Sequence, residues 1–125
     1  MFLGVLNQKE KENFIELAYY IARCDSDFSS FEKNWISRCS NEMNLENYEV
    51  QNKSLDSIIE EFSDSSFVSK TSILLEILEL MLADTTYHIK EKEVVKKLCE
   101  SWNITDEQFE NIIFWLKDKN NIVNS

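Results

Sequence analysis

An internal repeat with an offset of 59 positions constrains the fold of this chain more than any other feature of its sequence. Residues 18–48 align with residues 77–107 without a gap, and each position keeps its core or surface character. The matched pairs include Ile21 with Leu80, Trp35 with Val94, Cys39 with Leu98 and Met43 with Trp102. Because a repeated unit buries its apolar face against its neighbour, we predict two related helical hairpins around a pseudo-twofold axis.

The shortage of turn residues selects the fold class. Pro is absent from the sequence, and Gly4 is its single glycine. β-Hairpins depend on Gly, Asn-Gly and Pro in their turns, whereas helix interiors need none of these. The 125 residues, 43% of them hydrophobic, suit one domain over 1–125 with its own core. We therefore predict an all-α fold, a compact bundle of about six to seven helices.

Capping patterns and the three-and-four spacing of apolar residues mark six helices. The predicted ranges are about 7–24, 30–43, 54–62, 68–83, 89–102 and 105–118, with a polar loop over 44–53. The tail 119–125 is expected to fray. The fourth helix is apolar over most of its circumference and is predicted to be the central buried helix. Glu76 and Glu79 interrupt it, and we expect them at its exposed edge, with a polar cleft as the alternative.

Charge and cysteine usage narrow the possible partners and the compartment. The net charge is −10, which repels phosphate backbones and anionic lipid surfaces, so nucleic acid is not a predicted partner. The apolar start 1–6 is too short for an export signal, and no segment suits direct membrane insertion. Cys24, Cys39 and Cys99 form no Cys-x-x-Cys pair and fit reduced thiols in a cytoplasmic protein.

A short acidic turn occurs once in each copy of the repeat. It reads Asp-[Ser/Thr]-x-[Phe/Tyr]-x-x-x-Glu, from Asp25 to Glu32 and from Asp84 to Glu91. The Asp falls where one predicted helix ends, and the Glu falls in the first turn of the next helix. Glu32 and Glu91 lie on the apolar side of their helices, so each carboxylate needs hydrogen-bond donors or a cation.

On these residues the chain resembles the TerB-like (tellurite-resistance) family. The mark of that family is an Ala-x-Ala-Asp-Gly-x-[Ile/Val]-x-x-x-Glu turn, often present once in each half of a compact helical domain. The resemblance covers about residues 6–118 and implies a non-enzymatic bacterial protein of tellurite or general stress resistance. It also implies protein partners, some of them at the inner face of the membrane. The first copy here is Ala22-Arg23-Cys24-Asp25 onward and the second is Leu82-Ala83-Asp84 onward, with Ser26 and Thr85 where the family has Gly.

The resemblance further implies a metal site at the matching acids Asp25, Glu32, Asp84 and Glu91, to which Asp27 adds a carboxylate. Hard oxygen ligands within one turn suit calcium or magnesium, and no other cofactor is predicted. The twelve-residue loop of an EF-hand is not matched. The alternative, which we favour, is that the Glu residues cap their helices while the Asp residues tie the turns together.

The last helix is apolar on more than one side. Phe109, Ile112, Ile113 and Leu116 share one face, and Phe114 points nearly opposite to it. We predict that Phe114 and Trp115 form a docking surface for a protein partner, with a homodimer or coverage by the segment 2–6 as alternatives. The chain is not predicted to be an enzyme and has no predicted catalytic residue, because its single histidine, His88, has no recognisable nucleophile or base beside it.

Overall fold

The computed structural model of the chain describes residues 3–24, 30–45, 47–83 and 89–124, and the side chains of 3–23, 33–45, 47–80 and 92–118. These residues form six α-helices and a short 3-10 helix, with no strand among them, which confirms the predicted all-α bundle. After the 3-10 helix Leu3–Val5, the helices are α1 (Gln8–Cys24), α2 (Ser30–Glu42), α3 (Leu55–Glu61), α4 (Phe67–Ala83), α5 (Ile89–Ser101) and α6 (Asp106–Asn124).

The helix boundaries follow the 59-residue offset of the sequence. Helices α1 and α4 each have 17 residues, and both the first and the last residue of α4 lie 59 positions after those of α1. Helices α2 and α5 each have 13 residues with the same offset. The paired helices of the two copies therefore have the same lengths and boundaries at the offset, while the rotation that relates the copies in space stays a prediction.

Polar residues cap the helices where the sequence indicates a start. The Glu10 N–H donates to Asn7 Oδ1 and the Asn7 N–H donates to Glu10 Oε1, both at 2.9 Å, which is a reciprocal capping box. Thr105 and Gln108 form the same box at the start of α6. Ser66 occupies the position equivalent to Asn7, and its hydroxyl accepts from the Ser69 N–H at 3.1 Å. These caps place the helix starts close to the positions predicted from the sequence.

Two asparagines end α2 and α5 in the same way. Asn44 has a φ of 59° and Asn103 a φ of 56°, both in the left-handed region. The residue after each Asn donates its N–H back into the last turn of the helix, from Leu45 to the Ser40 carbonyl at 2.8 Å and from Ile104 to the Cys99 carbonyl at 2.9 Å. This is a Schellman cap, in which Asn adopts the conformation that Gly more often supplies.

Helices α1 and α4 both contribute to the centre of the core. Residues 13–18 of α1 are buried on all sides, and α1 contacts α2, α3 and α5, so α4 is not the sole central helix. Helix α4 contacts the short 3-10 helix and α6. Two T-shaped aromatic pairs join the elements, Phe14 with Trp35 at 5.8 Å and Phe62 with Trp102 at 5.9 Å between ring centroids.

Two details of the helices differ from the prediction. Glu76 is buried, with 1% of its surface exposed, so the expectation of an exposed edge is wrong for this residue. Helix α6 continues to Asn124, beyond the predicted end near residue 118, since no Gly or Pro interrupts that segment. Over the described residues, none of the helices combines the length and apolar character needed to cross a bilayer.

Candidate functional site

The predicted metal ligands fall at the ends of equivalent helices. Asp25, Asp27 and Asp84 lie outside the described residues. Glu32 and Glu91 are each the third residue of a helix, in α2 and α5, and their side chains also lie outside the described part. Among the side chains that are described, no three His, Cys, Asp or Glu residues group in a way that suits a metal ion. Calcium or magnesium binding at the two turns thus stays a prediction.

The predicted docking residues lie at the surface of α6. Phe114 is 74% exposed and Trp115 is 49% exposed, although Leu116 beside them is fully buried. Phe109, Ile112 and Ile113 are half-buried and pack against the core. At the start of the described chain, Leu3 is buried and the short 3-10 helix contacts α4. Phe114 and Trp115 therefore form an exposed aromatic pair.

A groove of about 390 Å³ opens between α5 and the start of α6, and we name it the α5–α6 groove. Its floor is apolar, while bases line one end and acids line the other. A volume of this size lies within the range of small-molecule and side-chain binding sites. The lining residues are Lys92, Val95, Lys96, Cys99, Glu100, Ile104, Asp106 and Phe109.

A second cavity occupies the equivalent place in the first copy of the repeat. This first-repeat cavity measures about 230 Å³ and lies between α1, α2 and the segment after α2. Ile15, Tyr19 and Tyr48 line it in addition to residues that correspond to the α5–α6 groove. The corresponding residues at the 59-position offset are Ile36 with Val95, Ser37 with Lys96, Ser40 with Cys99, Asn41 with Glu100, Leu45 with Ile104, and Val50 with Phe109.

The two cavities differ because a buried carboxylate organises only the first one. Glu16 of α1 has no exposed surface, and the Tyr48 hydroxyl donates to its Oε2. The equivalent positions in the second copy carry Leu75 and the exposed Glu107, so that pair cannot form there. The loss of the tyrosine and of the polar anchor accompanies the larger and more apolar groove in the second copy.

Glu16 also holds the backbone of the segment that follows α2. The Gln51 N–H donates to Glu16 Oε2 at 2.7 Å, and the Lys53 N–H donates to Oε1 at 3.2 Å. One carboxylate thus satisfies two backbone donors and the Tyr48 hydroxyl, in a segment without helical hydrogen bonds of its own. This network fixes the path of the chain from Tyr48 to Lys53 across α1.

A second polar cluster continues from the same segment to α3. Lys53 Nζ donates to Asn13 Oδ1 at 3.0 Å, and Asn13 Nδ2 donates to Glu61 Oε2 at 2.9 Å. Lys53 Nζ also lies 3.6 Å from Glu61 Oε2. Asn52, with a φ of 56°, accepts a hydrogen bond from the Arg23 guanidinium at 2.8 Å. Helices α1 and α3 and the connecting segment are therefore joined by polar contacts as well as by the core.

These contacts shift the ionisation of Glu16 and Tyr48. Burial raises the pKa of Glu16, but hydrogen bonds from the Gln51 N–H, the Tyr48 hydroxyl and the Lys53 N–H, with the Lys53 charge, outweigh it and bring the pKa below its ordinary value. Burial, and then the hydrogen bond to Glu16, raises the pKa of Tyr48. Glu16 is thus ionised and Tyr48 protonated at neutral pH, which is the state in which their hydrogen bond is strongest.

The chemistry of the α5–α6 groove suits binding. Its thiol, Cys99, is half-buried, and burial raises the pKa of that thiol to about 11, so the reactive thiolate is scarce at neutral pH. Lys96, Glu100 and Asp106 are exposed at its rim. An apolar floor with charged ends favours an apolar group that carries polar groups on either side.

Neither Glu16 nor the α5–α6 groove is among the sites predicted from the sequence. One signal was present for Glu16, since it is the single charged residue in the otherwise apolar run 14–22. A helix that is apolar all round is buried all round, so a charge inside such a run must be buried too. The sequence signal for the groove was weaker. The positions matched to Ser37, Ser40 and Asn41 carry Lys96, Cys99 and Glu100, whose side chains are longer or more apolar.

No family profile, curated protein or solved structure is significantly similar to this chain.

Proposed function

We propose that this chain is a non-enzymatic interaction module of the TerB-like class, which docks a protein partner in a bacterial stress-response or tellurite-resistance assembly. The docking surface is formed by Phe114 and Trp115 of α6. The module acts in the cytoplasm and reaches the inner face of the membrane only through its partner.

The exposed aromatic pair is the observation that carries this proposal. Phe114 is 74% and Trp115 49% exposed on consecutive positions of one helix. Large aromatic side chains are enriched at the centres of protein interfaces, and their removal from water provides much of the binding free energy. The α5–α6 groove lies at the start of the same helix and adds a concave element to the convex aromatic pair.

Helix boundaries support the resemblance on which the class assignment rests. Helix α1 ends at Cys24 and α4 ends at Ala83, so Asp25 and Asp84 directly follow equivalent helix ends. The two turns have the same length, because α2 and α5 begin at equivalent positions as well. A turn repeated once in each half of a compact helical domain is what the TerB-like resemblance implies. The free thiols Cys39 and Cys99 support a reducing compartment such as the cytoplasm.

The test of the docking surface is quantitative affinity capture with cross-linking from a lysate of the source cells. A Phe114→Ser, Trp115→Ser variant is expected to lose the captured protein and to remain folded, since neither side chain belongs to the buried core. A Phe67→Ser, Val68→Ser variant is the matched control, because Phe67 and Val68 are also exposed and consecutive, at 61% and 62%, in α4. Equal capture by both variants would show that the aromatic pair is not the docking surface.

The second candidate function is the binding of calcium or magnesium by the repeated acidic turns. The equivalent placement of the two turns favours it, because in each copy an Asp directly follows the first helix and a Glu is the third residue of the next helix. In this function Asp25, Asp27 and Glu32 would supply the ligands of the first turn, and Asp84 and Glu91 those of the second.

A further inference from the structure

We propose that a second copy of this chain occupies the α5–α6 groove, with Phe114 of each copy inserted into the groove of the other. The inference rests on the docking surface proposed above and names its partner. Three observations lead to it, namely the open groove, the exposed Phe114 on the same helix and the arrangement of charges around the groove.

Phe114 projects from the solvent-facing side of α6, beside the opening of the groove. At roughly 100° and 1.5 Å per residue, Phe114 lies about 80° around the helix from Asp106 and about 12 Å along it. Asp106 and Phe109 are the α6 residues that line the groove. Phe114 lies about 140° around the helix from Phe109, so its ring projects away from the core, toward the solvent into which the groove opens. Trp115 lies about 100° further around the helix than Phe114 and faces away from the groove. The phenyl ring and the groove therefore belong to one continuous face of the molecule.

A face that carries both a cavity and a projecting side chain can pair with its own copy. After a twofold rotation, each copy donates one phenyl ring and receives another, so the contact is closed and needs no third copy. The floor residues Val95, Cys99 and Ile104 present an apolar surface for the ring. The first-repeat cavity cannot serve in the same way, because it is smaller and Tyr48 lines it.

The same twofold rotation sets positive side chains at the groove of one copy opposite negative side chains at the groove of the other. Lys96 lies toward one end of the α5 side of the groove, and Glu100 and Asp106 lie toward the other end. A twofold rotation that sets the two α5 helices antiparallel places Lys96 of one copy opposite Glu100 of the other. The net charge of −10 on each chain opposes association in general, and the lysines at the groove reduce that repulsion locally.

The test is sedimentation velocity over roughly 10 µM to 1 mM, a range that detects weak association. Wild-type protein is expected to approach twice the 14.8 kDa mass of one chain as its concentration rises. Phe114→Ser, which removes the ring, and Cys99→Phe, which fills the groove, are each expected to stay at the mass of one chain. An equimolar mixture of the two variants is expected to regain part of the dimer, since one ring and one open groove remain. Ser40→Phe is the matched control in the first-repeat cavity and should associate like the wild type.

A pair of charge variants provides a second route that does not depend on filling the groove. Lys96→Glu alone and Glu100→Lys alone are expected to weaken association at least tenfold, because each homodimer then sets like charges opposite each other. Their mixture is expected to associate like the wild type, since both contacts of the mixed dimer again join opposite charges. Pairing of Lys96 with Glu100 inside one chain cannot produce that recovery.

The outcomes separate this inference from the proposed function. A wild-type protein that stays at 14.8 kDa at every concentration, or mixtures that never recover the dimer, would overturn the second-copy proposal. Loss of lysate capture on removal of Phe114 and Trp115 would still support the interaction module in that case. A dimer that recovers in both mixtures, together with capture that ignores Phe114 and Trp115, would support this inference and contradict the docking of another protein there.

Discussion

The Tyr48 hydroxyl donates a hydrogen bond of 2.5 Å to Oε2 of Glu16, a residue 32 positions earlier in the chain. Both groups lie where the segment after α2 crosses α1, and the same carboxylate accepts from the Gln51 and Lys53 N–H groups. The contact joins the irregular segment after α2 to α1, in which residues 13–18 are all buried. It also distinguishes the first copy of the repeat from the second, where Leu75 replaces Glu16.

Replacing Glu16 with Leu, the type of residue found at the equivalent position, is expected to destabilise the protein by roughly 2–4 kcal/mol, because Tyr48 and two backbone N–H groups lose their acceptor. Glu12→Leu, one turn earlier in α1, is the matched control and is expected to cost under about 1 kcal/mol. Urea denaturation followed by circular dichroism measures both. A Glu16→Leu protein as stable as the control would show that the buried network does not hold the segment.

The stability contributed by Glu16 is expected to depend on pH in the acidic range. Its folded-state pKa lies below the ordinary value of 4.5, so its contribution is complete above pH 4.5 and is lost as the pH falls through the folded-state pKa. The difference in unfolding free energy between wild type and Glu16→Gln should therefore be constant from neutral pH down to about 4.5 and shrink below it. Other carboxylates, including Glu61, titrate in both proteins and cancel in the difference. A difference that grows as the pH falls would contradict this account.

Substitution of Asn44 or Asn103 by Gly is expected to be tolerated, whereas substitution by Ala is expected to destabilise the protein. Asn44→Ala and Asn103→Ala should each cost about 1 kcal/mol, because a Cβ without a polar side chain is strained at positive φ, whereas Gly is not. The two sites should respond alike, since they form equivalent caps on α2 and α5. Asn41→Ala, inside α2, is the control and should be neutral or slightly stabilising. Thermal unfolding measures all of these variants, and a neutral Asn44→Ala would argue against the cap.

The thiols are expected to react slowly and in a fixed order. Burial raises the pKa of Cys39 to about 12 and that of Cys99 to about 11, so both stay protonated at pH 8. Alkylation of the native protein should modify Cys99 before Cys39, because Cys99 is half-buried and Cys39 is fully buried. Peptide mass mapping at timed intervals gives the order, and protein unfolded in urea serves as the fast reference. Faster modification of Cys39 would be incompatible with its position in the core.

If the acidic turns bind a divalent cation, calcium or magnesium will raise the melting temperature of the wild-type protein. A ligand present at 100 times its dissociation constant adds about 2.7 kcal/mol of stability. A Glu32→Gln, Glu91→Gln variant is expected to lose that increase and to keep a helical spectrum. An equal increase in wild type and variant would mean that the cation binds elsewhere, and no increase in the wild type would reject the cation-binding function.

The fold could be predicted from the sequence because its signals are local or repeated. Asn7, Ser54 and Thr105 begin helices through hydrogen bonds that span three residues, and such patterns are visible in any sequence. The 59-position offset transfers what is clear in one copy to the other. Helix α6 exceeds its predicted length because the sequence after residue 118 has no stop signal, and polar composition alone does not end a helix.

The candidate site could be predicted only in part because its geometry depends on distant contacts. Exposure of Phe114 follows from its angular position on a helix whose other face is apolar. The contacts of Glu16 join residues 32 to 37 positions apart, and no local pattern specifies which loop atoms reach a buried carboxylate. Glu76 illustrates the same limit, since an acid in an apolar helix fits an edge or an interior equally well from sequence.

The exchange of Glu16 for Leu75 between the two copies has a consequence for how the halves can change over evolutionary time. In the amino-terminal half, replacing one member of the Glu16 network leaves buried polar groups without their hydrogen-bond partners. That corner is therefore expected to tolerate few substitutions. The matched corner of the carboxy-terminal half has no such network, so substitutions there leave no buried polar group without a partner. The two halves are therefore expected to differ in how many substitutions they accept at this corner, with fewer accepted around Glu16 than around Leu75.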